Sequence, residues 1–186
     1  MGNLIYTAIT SLDGYISDER GDFGWAEPNA EVHGFINDLE RATGTHLLGR
    51  RMYETMVGWE TMDIGPDQAS LVRDFALIWR SAEKIVCSRT LDQVVGARAR
   101  IERSFDPDAV RRLKETSERD LSVGGPDLAA HAFRAGLVDE CRLFLNPISV
   151  GGGHPALPRG VRVKLDLLEE RRFSGGVVYL RYRTAP

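Results

Sequence analysis

Leu121–Ser122–Val123–Gly124–Gly125–Pro126–Asp127 decides how this chain of 186 residues is read. Leu121 to Val123 have the apolar character of a buried strand end. Two glycines follow, where the backbone can take a positive φ and another group can come close. Pro126 stands where the first residue of a helix is expected, with its φ already suited to that place. A strand, a glycine turn and a helix start expose backbone N–H groups, which suits a phosphate. Leu47–Leu48–Gly49–Arg50–Arg51–Met52–Tyr53–Glu54 has the same logic with two arginines added. Two such junctions point to a ligand carrying a pyrophosphate and a further anionic group.

Working outward, Leu4 to Ile9 is apolar and β-prone, the pattern of a central strand. Ser11 to Ser17 continues extended across a glycine bend. Residues 18–29 are rich in Asp, Glu, Gly, Pro and Asn and predict an exposed loop. Phe23 and Trp25 in that loop either cover a ligand or pack back on the core. Helical spacing follows over Ala30–Arg41, with Val32, Phe35, Ile36 and Leu39 on one face. Further along, Thr45–Leu48 reads as a strand, Arg50–Met56 as a short helix and Asp67–Ser81 as a longer one. Lys84–Cys87 and Ala99–Ile101 read as strands. Asp106–Pro107 caps a helix running to about Thr116. Asp120–Val123 is a strand, Pro126–Ala135 a helix closed by Gly136, and Glu140–Leu145 a strand. Val161–Phe173 and Val177–Arg183 end the chain as two long strands joined through Ser174–Gly175–Gly176, a hairpin signal. Strands alternating with helices, then an antiparallel finish, predict a mainly parallel mixed sheet with helices on both faces. No linker divides residues 1–186, which read as one domain.

The 24 basic and 27 acidic residues leave a formal charge of −3, so no overall basic field draws nucleic acid or anionic lipid. Cys87 and Cys141 lie far apart in apolar runs and read as buried hydrophobes, not as a disulfide or metal pair. No apolar run approaches the length of a membrane span, and strand sequence begins at once. These features predict a cytoplasmic protein with no membrane or nucleic-acid partner and no metal.

Arg50 and Arg51 carry the sharpest electrostatic hint. A cation at an exposed helix N-terminus opposes the macrodipole at a cost of about 0.3–1 kcal/mol. A bound anion would reverse that sign, and arginine reads phosphate bidentately. The plainer reading is a pair of surface arginines, one of them balanced by Glu54. Ser88–Arg89 after a strand reads either as a polar turn or as a second phosphate contact.

Several segments, taken in order, resemble a known superfamily: Ser11–Leu12–Asp13–Gly14–Tyr15–Ile16–Ser17, the run from Gly49 to Glu54, Val86–Cys87–Ser88–Arg89–Thr90, and Val123–Gly124–Gly125. They are similar to dihydrofolate-reductase-like proteins. Asn146–Pro147–Ile148–Ser149–Val150–Gly151–Gly152–Gly153 sharpens the resemblance to the reductase domain of riboflavin biosynthesis, as a stand-alone member. The resemblance implies a dihydrofolate-reductase-like mixed sheet, NADPH as cofactor and a homodimer. It places Gly49, Arg50, Arg51 and Met52 toward the cofactor phosphates and Ser88 and Arg89 near the adenosine 2′-phosphate. Gly124, Gly125 and Pro126 fall beside the pyrophosphate or nicotinamide, and Ala8 lines the nicotinamide pocket. Phe23 and Trp25 become a lid.

Hydride transfer to a C=N bond needs a proton near the acceptor. Asp13, just past the first strand, and Glu31, in the first turn of a helix, are the candidate donors. Asp13 reads equally as an Asp–Gly turn residue and Glu31 as an acid that complements the helix dipole. The superfamily's helix-opening acid falls on Ala30 when aligned from Trp25 and Pro28, and near His33 when counted back from Gly49. Tyr53–Glu60 departs from the substrate-phosphate segment of the riboflavin enzymes. The expected function is NADPH-dependent reduction of a small heterocycle, either pterin- or dihydrofolate-like or 5-amino-6-(5-phosphoribosylamino)uracil-like. The alternative is a non-catalytic NADPH- or ligand-binding protein on the same fold.

Overall fold

The computed structural model describes residues 1–185. Along the chain run β1 (Leu4–Ser11), β2 (Tyr15–Ser17), a single 3-10 turn (Gly24–Ala26), α1 (Ala30–Glu40), β3 (Thr43–Gly49), α2 (Arg50–Met56), α3 (Gly58–Thr61) and α4 (Ser70–Ser81). They are followed by β4 (Glu83–Cys87), β5 (Ala99–Glu102), α5 (Pro107–Thr116), β6 (Asp120–Gly124), α6 (Pro126–Arg134), β7 (Glu140–Asn146), β8 (His154–Pro155), β9 (Lys164–Arg172) and β10 (Val178–Ala185).

The main sheet has the order β5-β4-β3-β6-β1-β7-β10-β9. From β5 to β7 every neighbour is parallel, while β10 and β9 close the edge antiparallel. β1 lies inside because its side chains are apolar on both faces, as a doubly covered strand requires. Leu4, Tyr6 and Ala8 enter one core with Val110 of α5 and Leu128, Ala132 and Phe133 of α6. Ile9 enters the opposite core, where α1 lays Val32, Phe35, Ile36 and Leu39 against Phe144, Phe173 and Tyr179. A third cluster joins Tyr53 of α2 and Phe75 and Trp79 of α4 to Leu48 and Val86. Each fully buried aliphatic or aromatic side chain contributes about 1.5–3 kcal/mol.

Four local details differ from the sequence expectation. α4 starts at Ser70 because a turn, Gln68 N–H to Gly65 O at 3.2 Å, occupies the residues before it. β9 starts at Lys164 because Val161 and Val163 tuck against the core instead of extending the hairpin. The extended stretch 11–17 breaks at Gly14, whose φ is +89°. The short α3 has no periodic signal of its own. Its Glu60 is placed by Lys84, which is 1% exposed and puts Nζ 3.1 Å from Glu60 Oε2.

Lys84 belongs to a buried polar line across the sheet. His46 stacks on Trp79 with centroids 5.1 Å apart and shares a 2.6 Å hydrogen bond through Nδ1 with Ser122 Oγ. Burial, reinforced by the Lys84 charge, pushes the His46 pKa down to about 4.

Candidate functional site

At the carboxyl ends of β4, β3 and β6 the two glycine junctions lie side by side. Leu48 of β3 pairs with Gly124 of β6, and Gly49 pairs with Cys87 of β4. α2 and α6 begin directly behind these strands, under Gly49 and Gly125, with no side-chain cap. α1 and α5, by contrast, begin under the side chains of Asn29 and Asp106. First-turn N–H groups without a capping side chain are left for solvent or ligand.

Gly125 has φ +91°, which explains the glycine. Gly124 is required for a different reason. A Cβ there would lie 2.8 Å from Leu48 Cδ2 and 3.1 Å from Met52 Cγ. The close approach expected of a ligand at Gly124 is therefore made by the protein's own side chains. Met52 also faces Gly125, 3.4 Å from its ideal Cβ position, so one methionine forms the wall shared by both junctions. Pro126 takes its place in the first turn of α6.

The arginines gather round the turn after β4. Ser88 is buried, and its Oγ accepts from Thr90 N at 3.3 Å and Leu91 N at 3.0 Å. Arg50 donates from Nε to Glu54 Oε1 at 2.7 Å and from Nη1 to Thr90 Oγ1 at 2.7 Å. It thus fulfils the plain expectation of pairing with Glu54 while also tying α2 to the turn. Arg51 and Arg89 are exposed beside it. Arg103, beyond β5, donates to the carbonyls of Ser88 and Leu91. Counting Arg100, five guanidiniums stand at this edge with Glu54 and Glu102 as paired carboxylates, which leaves it cationic in a chain whose net charge is −3.

The candidate acids are arranged otherwise. Asp13 accepts from Ser149 Oγ at 2.8 Å, Val150 N at 3.2 Å and Gly151 N at 2.8 Å. Hydrogen bonds, that from Ser11 foremost, hold its carboxyl well below the usual carboxylate range. Together with Leu12 N to Ile148 O at 2.7 Å and Ala156 N to Gly14 O at 2.9 Å, it clasps residues 11–17 to the loop after β7. Glu31 accepts from Ser174 Oγ at 2.5 Å and Ser174 N at 2.9 Å, which lowers its pKa and ties α1 to the β9–β10 turn. Both carboxyl groups are thus engaged by partners within the fold. Ala8 is buried in the core rather than lining an open pocket. His33 packs edge-on to Trp59 and Phe75, and burial lowers its pKa.

Phe23 is 51% exposed, whereas Trp25 packs inward with its Nε1 buried and unpartnered. Trp25 borders a cavity of about 240 Å³ with Glu27, Asn29, Asn146, Pro147 and Gly175. Arg103 escaped the sequence reading, while Thr90 and Asn146 entered it only as members of motifs, with no role assigned. Arg103 lies on the far side of an 11-residue loop, and only the β4–β5 pairing brings it to Ser88. Among the described residues no cluster of His, Cys, Asp and Glu could hold a metal, Cys87 and Cys141 are free, and no helix is long and apolar enough to cross a membrane.

A mainly parallel sheet with glycine junctions and a cationic turn at its carboxyl edge has the architecture of reductase-type α/β proteins. The chain belongs to the RibD C-terminal domain family, whose model matches residues 3–179. The uncharacterized protein YyaP of Bacillus subtilis is 27% identical over 183 residues, covering 96% of this chain and 93% of its own. A Shewanella sp. PV-4 protein ascribed to riboflavin biosynthesis superposes over the whole of both chains with a TM-score of 0.75 at 21% identity. A pyrimidine reductase-like protein of Corynebacterium diphtheriae gives 0.67 at 15% identity, over 100% of this chain and 92% of that one. The Thermotoga maritima diaminohydroxyphosphoribosylaminopyrimidine deaminase/5-amino-6-(5-phosphoribosylamino)uracil reductase gives 0.68 at 16% identity, and 99% of this chain spans 57% of it. The shared dihydrofolate-reductase-like fold matches the one anticipated from the sequence.

Proposed function

We propose that this protein is an NADPH-dependent reductase of a small heterocycle, of the pterin or aminouracil kind. The observation that carries the reading is the cationic turn: Arg50 and Arg103 bond the turn that begins at Ser88, Arg89 follows Ser88 exposed, and Arg51 is exposed on α2, beside two glycine junctions. The donor set fits a phosphorylated dinucleotide. Arg51 and Arg89 would hold the adenosine phosphate with the Ser88 hydroxyl, and the first turns of α2 and α6 would face the pyrophosphate. When bound, NADPH supplies the hydride. The protein positions it, and Trp25 and Phe23 shield the reacting edge from water. Because hydrogen bonds keep Asp13 and Glu31 ionised, the proton comes from solvent and the two acids are positioning groups. A homodimer in the cytoplasm is part of the same reading, which rests there on the family alone.

The held carboxylates also favour a second reading, a dinucleotide-binding protein without turnover. Titrating the purified protein with NADPH and NADH, then following NADPH oxidation over a panel of pterins and aminouracils, separates the two. Preferential NADPH binding with turnover supports the reductase. Binding without turnover supports the second reading, and equal, negligible affinity for both dinucleotides overturns both.

A further inference from the structure

Arg103 leaves the end of β5 exposed, and its guanidinium bridges two carbonyls of the neighbouring loop. Nη1 donates to Ser88 O at 3.2 Å and to Leu91 O at 2.7 Å. The same four residues are closed from within by Ser88 Oγ, which accepts from the amides of Thr90 and Leu91. Arg50 holds them from the α2 side through Thr90 Oγ1. The sheet fixes the start of the turn, since Ser88 N donates to Glu102 O at 2.9 Å.

Beside an anion, carbonyl oxygens repel, while hydroxyl hydrogens and guanidiniums attract. Arg103 draws the turn's two end carbonyls onto itself. Since Ser88 Oγ already accepts twice, its hydroxyl hydrogen is the group left to donate. Arg100 provides a contrast on the same stretch of chain. It pairs with Glu102 at 3.4 Å, whereas Arg103, among the described residues, meets only carbonyl oxygens and keeps its positive charge beside the turn.

We infer that Arg103 is a positioning residue that sets the preference for a 2′-phosphorylated over an unphosphorylated dinucleotide. This inference rests on the cofactor reading above. Arg103 acts through Ser88 and the turn it holds, and Arg51 and Arg89 bind the phosphate itself. The deciding experiment titrates the full chain and its Arg103→Gln and Arg103→Lys variants with NADPH and NADH, with thermal melts alongside.

Arg103→Gln is expected to weaken NADPH about tenfold, because the released Ser88 and Leu91 carbonyls and the lost positive charge both disfavour a neighbouring anion, and to change NADH by less than about twofold. Arg103→Lys, which keeps the charge and can reach one carbonyl, is expected to recover most of the preference. The Arg103→Gln melt is expected to fall by no more than about a few degrees, because the released carbonyls of this exposed turn can bond water. A purely structural role would weaken both dinucleotides together or neither, in either variant, and would overturn the inference while leaving the cofactor reading intact. Failure of the unaltered protein to prefer NADPH overturns both.

Discussion

The turn at Ser88 and the clasp at Asp13 use the same materials, backbone amides and charged side chains, to opposite ends. At the clasp, the amides of Val150 and Gly151 and the Ser149 hydroxyl all point at one protein carboxylate. Its charge is answered within the fold. At the turn, the amides are answered by Ser88 Oγ and the carbonyls by Arg103. Arg51 and Arg89 are left facing solvent. Charge satisfied internally fixes geometry, and charge left over is available to a ligand. The difference teaches that an acid near an expected hydride path is not thereby catalytic, and that the arginines are the better guide to function.

The comparison breaks most visibly if the leftover cations bind nothing. Arg51→Ala combined with Arg89→Ala is expected to weaken NADPH at least a hundredfold, from two charge-assisted hydrogen bonds of about 1.5 kcal/mol each. NADH is expected to change about twofold, and the melting temperature to hold. Fluorescence titration reads both affinities. A parallel loss for the two dinucleotides would deny these arginines a phosphate.

The next effect tests where the acid sensitivity of the fold lies. His46 is neutral when folded, with a pKa near 4, against about 6.5 unfolded. Above pH 6.5 neither state binds the proton. As pH falls below 6.5 the unfolded chain binds it first, so stability declines, by about 2 kcal/mol at pH 5. Asp13 and Glu31 have depressed values, so their contribution stands above the unfolded carboxyl pKa and is lost only as pH falls through the folded one. Urea midpoints should therefore fall between pH 6.5 and 5 in the parent chain and fall clearly less in His46→Leu. A decline that survives in His46→Leu would move the sensitivity to His33, whose pKa burial also lowers, since the clasp acids act only below the unfolded carboxyl pKa.

How much of this was legible in the sequence follows from range. Glycine junctions, caps and strand–helix alternation are local, and Gly125, Asp106–Pro107 and the C-terminal hairpin appear where their residues demand. Gly124 was legible as a glycine but not for its reason, since Leu48 and Met52 come from a neighbouring strand and helix. Arg103 and the partners that hold Asp13 and Glu31 from the far loops lie 12 to 143 residues away from what they touch. No spacing rule reaches that far. The acids drew a catalytic reading because the Ser149–Gly151 and Ser174 donors that occupy them are set by the sheet order.

A smaller change probes the clasp directly. Asp13→Ala frees the amides of Val150 and Gly151, so their hydrogen exchange should quicken and the melting temperature should fall, with NADPH affinity within about twofold of the parent. Unchanged exchange at 150–151 would mean that the loop holds itself and that Asp13 is available for another task.

The smallest expected effect is the most discriminating. Glu31→Gln keeps the shape of the side chain and can still accept from Ser174 N, so the tie between α1 and the β9–β10 turn survives in weakened form. A positioned general acid contributes about 10²–10⁴ to rate, and its loss removes one limb of the pH–rate profile. Ser174 foremost, and Arg171, hold Glu31 below the ordinary carboxyl range. Turnover of any substrate found should therefore fall by less than about fivefold, with a pH profile that overlays the parent's. A hundredfold loss together with a missing limb would show that substrate binding displaces Ser174 and raises the pKa. Glu31 would then be the donor, and the clasp side of the molecule, not the arginine turn alone, would hold part of the chemistry.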